Sequence, residues 1–371
     1  MRASKMVSNV YYVDLRADFE SGVLDRLKTG IEKAGLLEIA GENEILAIKL
    51  HFGERGCTAY LKPVYVRTVI EAMRAARCSM FLTDTNTLYV GSRSDSVRHI
   101  RTAVENGFSF ASMGVPILIA DGLKGTNHET VRIKGKHFDE VKIASDIVRA
   151  DSLLALTHVK GHEVTGLGGA LKNIGMGGGS RTGKVAMHSD VRPYVSDKCQ
   201  GCATCVSWCP TGAIKVKGKR ASIASEACIG CAECLVVCPS KAVKVKWSES
   251  SRTVQEKIVE YALGATQSKS RKAGYINFIL DVAPTCDCYP FSDASIVPDV
   301  GILISRDPVA IDKASVDLIN AQAGLRGTAV KGAAAGTDKL RAMYPKVDWN
   351  IQIRYAESLG LGSSSYKLVK I

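Results

Sequence analysis

The sequence predicts an α/β fold, a mostly parallel sheet with helices on both faces, interrupted by a small α+β module. Three observations predict it. Short apolar strand patterns alternate with amphipathic helix patterns along residues 1–190. The same alternation resumes over residues 248–371. Between them, residues 191–247 hold eight of the twelve cysteines. Length agrees, because 371 residues suit two or three domains.

The elements follow in order. Residues 9–13 form a strand pattern, and Leu24, Leu27 and Ile31 mark a helix over 24–34. A strand over 45–50 runs into the loop His51-Phe52-Gly53-Glu54-Arg55-Gly56. Val66, Val69, Ile70 and Met73 mark the next helix, 80–83 a strand and 94–106 a helix. Residues 115–120 and 152–156 are further apolar strands, and a helix starts within 168–174. After the cysteine-rich segment come a helix over 254–263, strands over 275–281 and 301–305, and a helix over 308–320. The tail, 359–371, packs back as a last strand. Asp307-Pro308 has the pattern of a helix N-cap followed by Pro at the first helical position.

The module carries the most specific motif. It reads Cys199-x2-Cys202-x2-Cys205-x3-Cys209-Pro210, then Cys228-x2-Cys231-x2-Cys234-x3-Cys238-Pro239. This is the spacing with which bacterial two-cluster ferredoxins hold two [4Fe–4S] clusters. Each run supplies three thiolates from a tight turn, and its fourth Cys serves the other cluster. Cys199, Cys202, Cys205 and Cys238 are therefore assigned to one cluster, and Cys228, Cys231, Cys234 and Cys209 to the other. A shift of 29 residues superposes the two runs and carries residues 213–217 onto 242–246, a pseudo-twofold module with a strand after each run. Disulfides and zinc are the alternatives. The first 20 residues lack a signal-like apolar run and include Asp14, Arg16, Asp18 and Glu20. Zinc sites use Cys pairs rather than two four-Cys runs each followed by Pro.

Free cysteines without an export signal imply a reducing cytoplasm, and no stretch of roughly 18 apolar residues suggests a membrane span. The formal charge is +12. Two clusters, each about −2 with their thiolates, would bring it to about +8. The module is itself basic, with Lys198, Lys215, Lys217, Lys219, Arg220, Lys241, Lys244 and Lys246 against Asp197, Glu226 and Glu233. Such a face attracts an acidic electron carrier such as a ferredoxin or flavodoxin, or is simply a solvated surface. No aromatic-and-basic stripe points to nucleic acid. The sequence leaves the oligomeric state open.

A second constellation sits where strands end, the place where open α/β sheets bind ligands. His51 follows one strand, and His158, Lys160 and His162 follow another. Cys286 and Cys288 follow a third, and His188 precedes the module. His51, His158, Lys160 and His162 are candidate catalytic residues. Cys286, Cys288 and His188 are candidate ligands of an additional metal ion. The alternatives are a substrate pocket without metal, or ordinary loop and core residues. Cys286 and Cys288 share a face only if their segment is extended. Lys160 and Lys172 offer charges for a substrate carboxylate or phosphate. Gly178-x4-Gly183-Lys184 is similar to a P-loop, but Val185 stands where Ser or Thr would bind magnesium. Residues 175–183 are therefore expected to form a flexible Gly-rich loop.

Taken together, these stretches resemble a family of prokaryotic iron–sulfur proteins known as domain of unknown function 362, with a ferredoxin module inserted. The resemblance rests on His51-Phe52-Gly53-Glu54, Thr157-His158-Val159-Lys160-Gly161-His162, Gly168-Gly169-Ala170-Leu171-Lys172-Asn173-Ile174-Gly175-Met176-Gly177, Cys286-Asp287-Cys288 and Asp307-Pro308-Val309-Ala310-Ile311-Asp312. It implies two [4Fe–4S] clusters and a cytoplasmic redox protein, and it supplies no reaction. The functional expectation is an iron–sulfur oxidoreductase passing low-potential electrons between an acidic carrier and a site at the strand ends. A non-enzymatic electron-carrier subunit and a metal- or cluster-maturation protein are the alternatives. Cluster type alone spans roughly −700 to +450 mV, so the direction of electron flow is not legible.

Overall fold

The computed structural model describes residues 7–89, 91–188, 193–209, 211–228, 233–244, 250–269 and 271–371. Among them the main sheet has eight strands: β1 (Ser8–Asp14), β2 (Ile45–Lys49), β3 (Ser79–Asp84), β4 (Ile117–Ile119), β5 (Ser152–His158), β6 (Ala273–Ile279), β7 (Gly301–Ser305) and β8 (Tyr366–Lys370). Their spatial order is β8-β1-β7-β6-β5-β2-β3-β4. All neighbours pair in parallel except β7, which runs against both β1 and β6. The mostly parallel α/β expectation holds.

Both faces of the sheet are covered, which explains its near-continuous apolar strands. Every residue of β5 is buried. Successive side chains alternate between two cores. Leu153 and Ala155 join one core with the helices Ala170–Gly178, Ser251–Thr266 and Pro308–Ala321. Leu154 and Leu156 join the other with Val23–Lys33 and Pro63–Met73. Each Leu or Ile so buried contributes about 1.5–3 kcal/mol relative to exposure. Side chains cap the helix starts. Ser250 accepts from Thr253 N–H, and Asp307 accepts from Val309 and Ala310 N–H at 2.8 and 2.9 Å, the structural role its sequence position predicts.

From β2 the chain places β3 and β4 on one side and β5 on the other. The order reverses between β2 and β5, so a crevice opens beyond their carboxyl ends.

The cysteine-rich segment forms a separate small α+β unit. Tyr194–Val195 pairs antiparallel with Val243–Lys244, and Ile214–Lys217 with Arg220–Ile223. Helices Thr204–Ser207 and Glu233–Val237 complete it. Its core contains Cys205, Ile214, Ala221, Cys234 and Val243. The 29-residue repeat is visible in the backbone, since Gly212 and Lys241 occupy equivalent positions and both have positive φ, 63° and 51°. The unit docks on the main domain through a buried ion pair, Arg181 to Glu233 at 2.8 Å. Lys124 lies 3.7 Å from the Trp208 ring centroid, and Leu235 packs beside Leu88 and Val185. The expected boundaries near residues 190 and 247, the ligand Cys231 and residues 245 and 246 of the second repeat lie outside the described residues.

One expectation is overturned. Residues 175–183 do not form a loop, because Ala170–Gly178 is a helix and Arg181–His188 begins another. The glycines are there for packing. A Cβ on Gly183 would lie 2.6 Å from Cε1 of Tyr261 and 2.7 Å from the Lys142 carbonyl oxygen. The hairpin His128–Arg132 with Glu140–Ala144 was not evident in the sequence. No helix among the described residues is long and apolar enough to cross a membrane.

Candidate functional site

A cavity of about 790 Å³ occupies the crevice. Its wall includes His51, His158, Lys160, His162, Lys172, Lys184, His188, Cys286 and Cys288. All four histidines and both cysteines expected at the rim are therefore brought together. Their positions follow from the chain. His51 lies just past β2, and His158 ends β5. Lys160 and His162 lie on Lys160–His162, a short strand paired with Gly166–Gly168. Lys172 projects from the helix Ala170–Gly178, and Lys184 and His188 from Arg181–His188.

Cys286 and Cys288 do not share a face by extended alternation. Tyr289 N–H donates to the Cys286 carbonyl at 3.1 Å and closes a turn. The turn aims both sulfurs at the cavity and turns Asp287 inward, to 1% exposure. Asp287 Oδ1 accepts from His158 Nδ1 at 2.9 Å, and Oδ2 accepts from Lys160 Nζ at 2.7 Å. His158 Nε2 faces the carbonyls of Leu280 and Asp281 at 2.8 and 3.2 Å. These contacts hold the ring from both sides. His158 thereby anchors the turn. Burial favours the neutral acid of Asp287, but Lys160 and His158 outweigh it and hold the carboxyl far below the usual range.

Gly53 N–H donates to His51 Nδ1 at 3.0 Å, which places the neutral ring's proton on Nε2. That nitrogen is 3.3 Å from Cys288 Sγ. Burial, reinforced by Arg93, lowers His51. His162 Nδ1 accepts from Val164 and Thr165 N–H, both at 3.2 Å. Burial pushes both His162 and His188 down to about 3, with Lys172 and His162 respectively adding to the effect. Both rings are neutral at pH 7.

Lys172 Nζ lies 3.6 Å from Cys286 Sγ. The neighbouring Cys288 thiol pulls the Cys286 thiol down to about 6 despite its burial, with Lys172 and Lys160 assisting. The same interaction raises Cys288. Cys286 is therefore the thiolate of the pair at neutral pH. Alkylation of Cys286 by iodoacetamide, followed by peptide mass, is expected to reach half its maximal rate near pH 6. Cys57 and Cys78, which burial raises, serve as internal references. A half-point near the ordinary ~8.5 would remove the thiolate.

Beneath the thiols lies a buried charge network. Lys49 Nζ pairs with Asp84 at 2.9 Å and donates to Asn173 at 2.9 Å. Arg93 reaches Asp84 at 3.4 Å, Glu54 at 3.2 Å and the Tyr89 hydroxyl at 2.7 Å. Against the cost of burial, Lys49 holds Asp84 well below its ordinary value. Burial also lowers Lys184 to about 8, where it donates to Thr85 and to the Gly179 carbonyl. Among the described residues, no group of three His, Cys, Asp or Glu converges as a metal site. Cys286, Cys288 and His188 line one cavity.

The sequence profile described as "Domain of unknown function (DUF362)" matches residues 46–317. The chain belongs to this family. No curated protein matches it. Two solved structures are similar in backbone. The lactate racemase apoprotein from Thermoanaerobacterium thermosaccharolyticum has 12% identity and a TM-score of 0.38, and the match covers 75% of this chain and 52% of that one. A Thermotoga maritima protein has 11% identity and a TM-score of 0.36, covering 69% and 50% respectively. This chain thus spans about half the length of each.

Within this DUF362 chain, four of the five stretches that carried the resemblance meet at the cavity. The fifth, residues 307–312, supports it from behind. Asp312 accepts from Ala170 N–H at 2.6 Å and Leu171 N–H at 2.9 Å, and so holds the start of the helix that carries Lys172. Sequence reasoning missed Lys49, Asp84 and Arg93. Their signal was a charged residue ending an otherwise apolar strand, Lys49 on β2 and Asp84 on β3.

Proposed function

We propose that this protein is a redox protein carrying two [4Fe–4S] clusters, and that it passes electrons between an acidic carrier and the cavity at the strand ends. The observation that carries the proposal is that Cys199, Cys202, Cys205 and Cys238 line one small pocket. Three come from one run and the fourth from the other, as the crossed ligation of two-cluster ferredoxins requires. The donor set suits the group, with four soft sulfurs around one void. Ala221 N–H donates to Cys199 Sγ at 3.3 Å and Ala242 N–H to Cys238 Sγ at 3.2 Å, and such bonds tune a cluster's potential. Cys209 and Cys234 pack in the core of the same unit, and with Cys228 and Cys231 they would hold the second cluster. When bound, the clusters supply one-electron transfer.

The chain's own residues give the route a direction in space. The helix Glu233–Val237 lies within the second run, and its Glu233 is held by Arg181. Leu235 from that helix packs against Leu88, which itself lines the cavity. This contact supports a route from the second run to the cavity. On the module's surface Lys215, Lys217, Lys219, Arg220, Lys241 and Lys244 are exposed and favour an acidic carrier.

Protein purified without oxygen is expected to hold about eight irons and eight acid-labile sulfides per chain. Stoichiometric zinc with no iron would overturn the proposal.

A further inference from the structure

We infer that Cys286 and Cys288 form a reversible intramolecular disulfide, which makes the cavity a two-electron site for small disulfide compounds. The two cysteines stand two residues apart in one turn and both line the same cavity. The turn over residues 286–289 shortens the path between them, since a disulfide needs Cα atoms roughly 4.4–6.8 Å apart and residues i and i+2 of a turn fall within that range.

The turn is clamped on several sides. Asp287 is tied to His158 and Lys160, its carbonyl accepts from Glu54 N–H at 3.0 Å, and the Cys288 carbonyl accepts from the Tyr89 hydroxyl at 3.0 Å. The reduced sulfurs therefore stay opposed rather than separating. Each also has its own partner, Lys172 at 3.6 Å from Cys286 and His51 at 3.3 Å from Cys288. Lys172 stabilises negative charge on Cys286, and His51 donates to whichever sulfur state Cys288 holds.

The chemistry balances. The Cys286 thiolate attacks one sulfur of a substrate disulfide, and one substrate thiolate leaves. Cys288 then attacks Cys286 Sγ. Its proton goes to the second leaving thiolate, and the Cys286–Cys288 bond forms. The substrate gains two electrons and one proton, which are the two electrons and one proton the pair loses. Restoring the pair takes two electrons and one proton. This half rests on the proposed clusters, because the electrons arrive singly by way of the Leu235–Leu88 contact.

Two arms test the inference. In the first, anaerobic wild-type protein is equilibrated with oxidised glutathione, alkylated and digested. The peptide spanning residues 286–288 is expected to lose two hydrogens and both alkylation sites, and to regain both with a phosphine reductant. Cys288→Ser is expected to trap glutathione on Cys286. Two thiols that stay alkylatable in wild type at every ratio, or glutathione that stays trapped there, would overturn the inference whatever the cluster content. In the second arm, the oxidised protein receives reduced methyl viologen. Thiols that reappear in iron-loaded protein and not in iron-free protein support the electron route. Reappearance at the same rate in both overturns that route, and with it the reading that the clusters feed the cavity.

Discussion

Replacing Asp287 with Asn is expected to cost about 3–5 kcal/mol of stability, the loss typical when one partner of a buried ion pair is removed. Among the described residues, Asp287 is the carboxylate paired with both His158 and Lys160, and its side chain is 1% exposed. Asn keeps the size and one acceptor but removes the charge. Lys160 and His158 would then face one another without an anion between them. Urea unfolding of the two proteins measures the difference. The sign with pH follows from the direction of the shift. Folding holds the Asp287 carboxyl below its unfolded value, so its contribution is present above about pH 4 and fades only as the pH falls further. The gap between wild type and Asp287→Asn should therefore narrow in acid. A gap that stays constant down to pH 3 would mean that the carboxylate contributes by shape alone.

The second expected result concerns ligation. Cys238→Ser should reduce iron from about eight to about four per chain, because a cubane lacking one of its four thiolates is not held. The location of the loss is the informative part. With crossed ligation, Cys199, Cys202 and Cys205 become alkylatable, while Cys209, Cys228 and Cys234 stay protected. If each run held its own cluster, the pattern would invert and Cys228 and Cys234 would be exposed. Peptide mass after alkylation separates the two outcomes. The shared pocket of Cys199, Cys202, Cys205 and Cys238 favours the first.

Much of this was written in the sequence in a form that local chemistry reads. The cysteine spacing specifies a module because ligands three residues apart point inward from one tight turn. Apolar runs such as Leu153–Leu156 specify strands buried on both faces because alternating side chains enter two cores. Asp307 followed by Pro308 specifies a helix start from local bonds alone. The rim histidines and cysteines were legible because each lies next to the end of a recognisable strand.

What the sequence misled about, or left out, depended on distant partners. The glycines between Gly175 and Gly183 suggest a loop when only their backbone freedom is considered. They sit in or beside two helices, and at Gly175, Gly179 and Gly183 it is Ile258 and Tyr261, about 80 residues later, that crowd the space a Cβ would take. Cys286 and Cys288 converge through a turn that Asp287 anchors to His158 and Lys160, residues separated from it by 129 and 127 positions.

By itself, then, the sequence determined the α/β class, the strand ends where chemistry collects and the pattern of the eight clustered cysteines, because each is encoded within a few neighbouring residues. Only the tertiary structure decided which cysteine of the pair is pulled toward the thiolate, which groups anchor the turn that carries it and which buried charges lie beneath it. Those properties belong to charges and hydrogen bonds between residues far apart in the chain, whose meeting only the completed fold brings about.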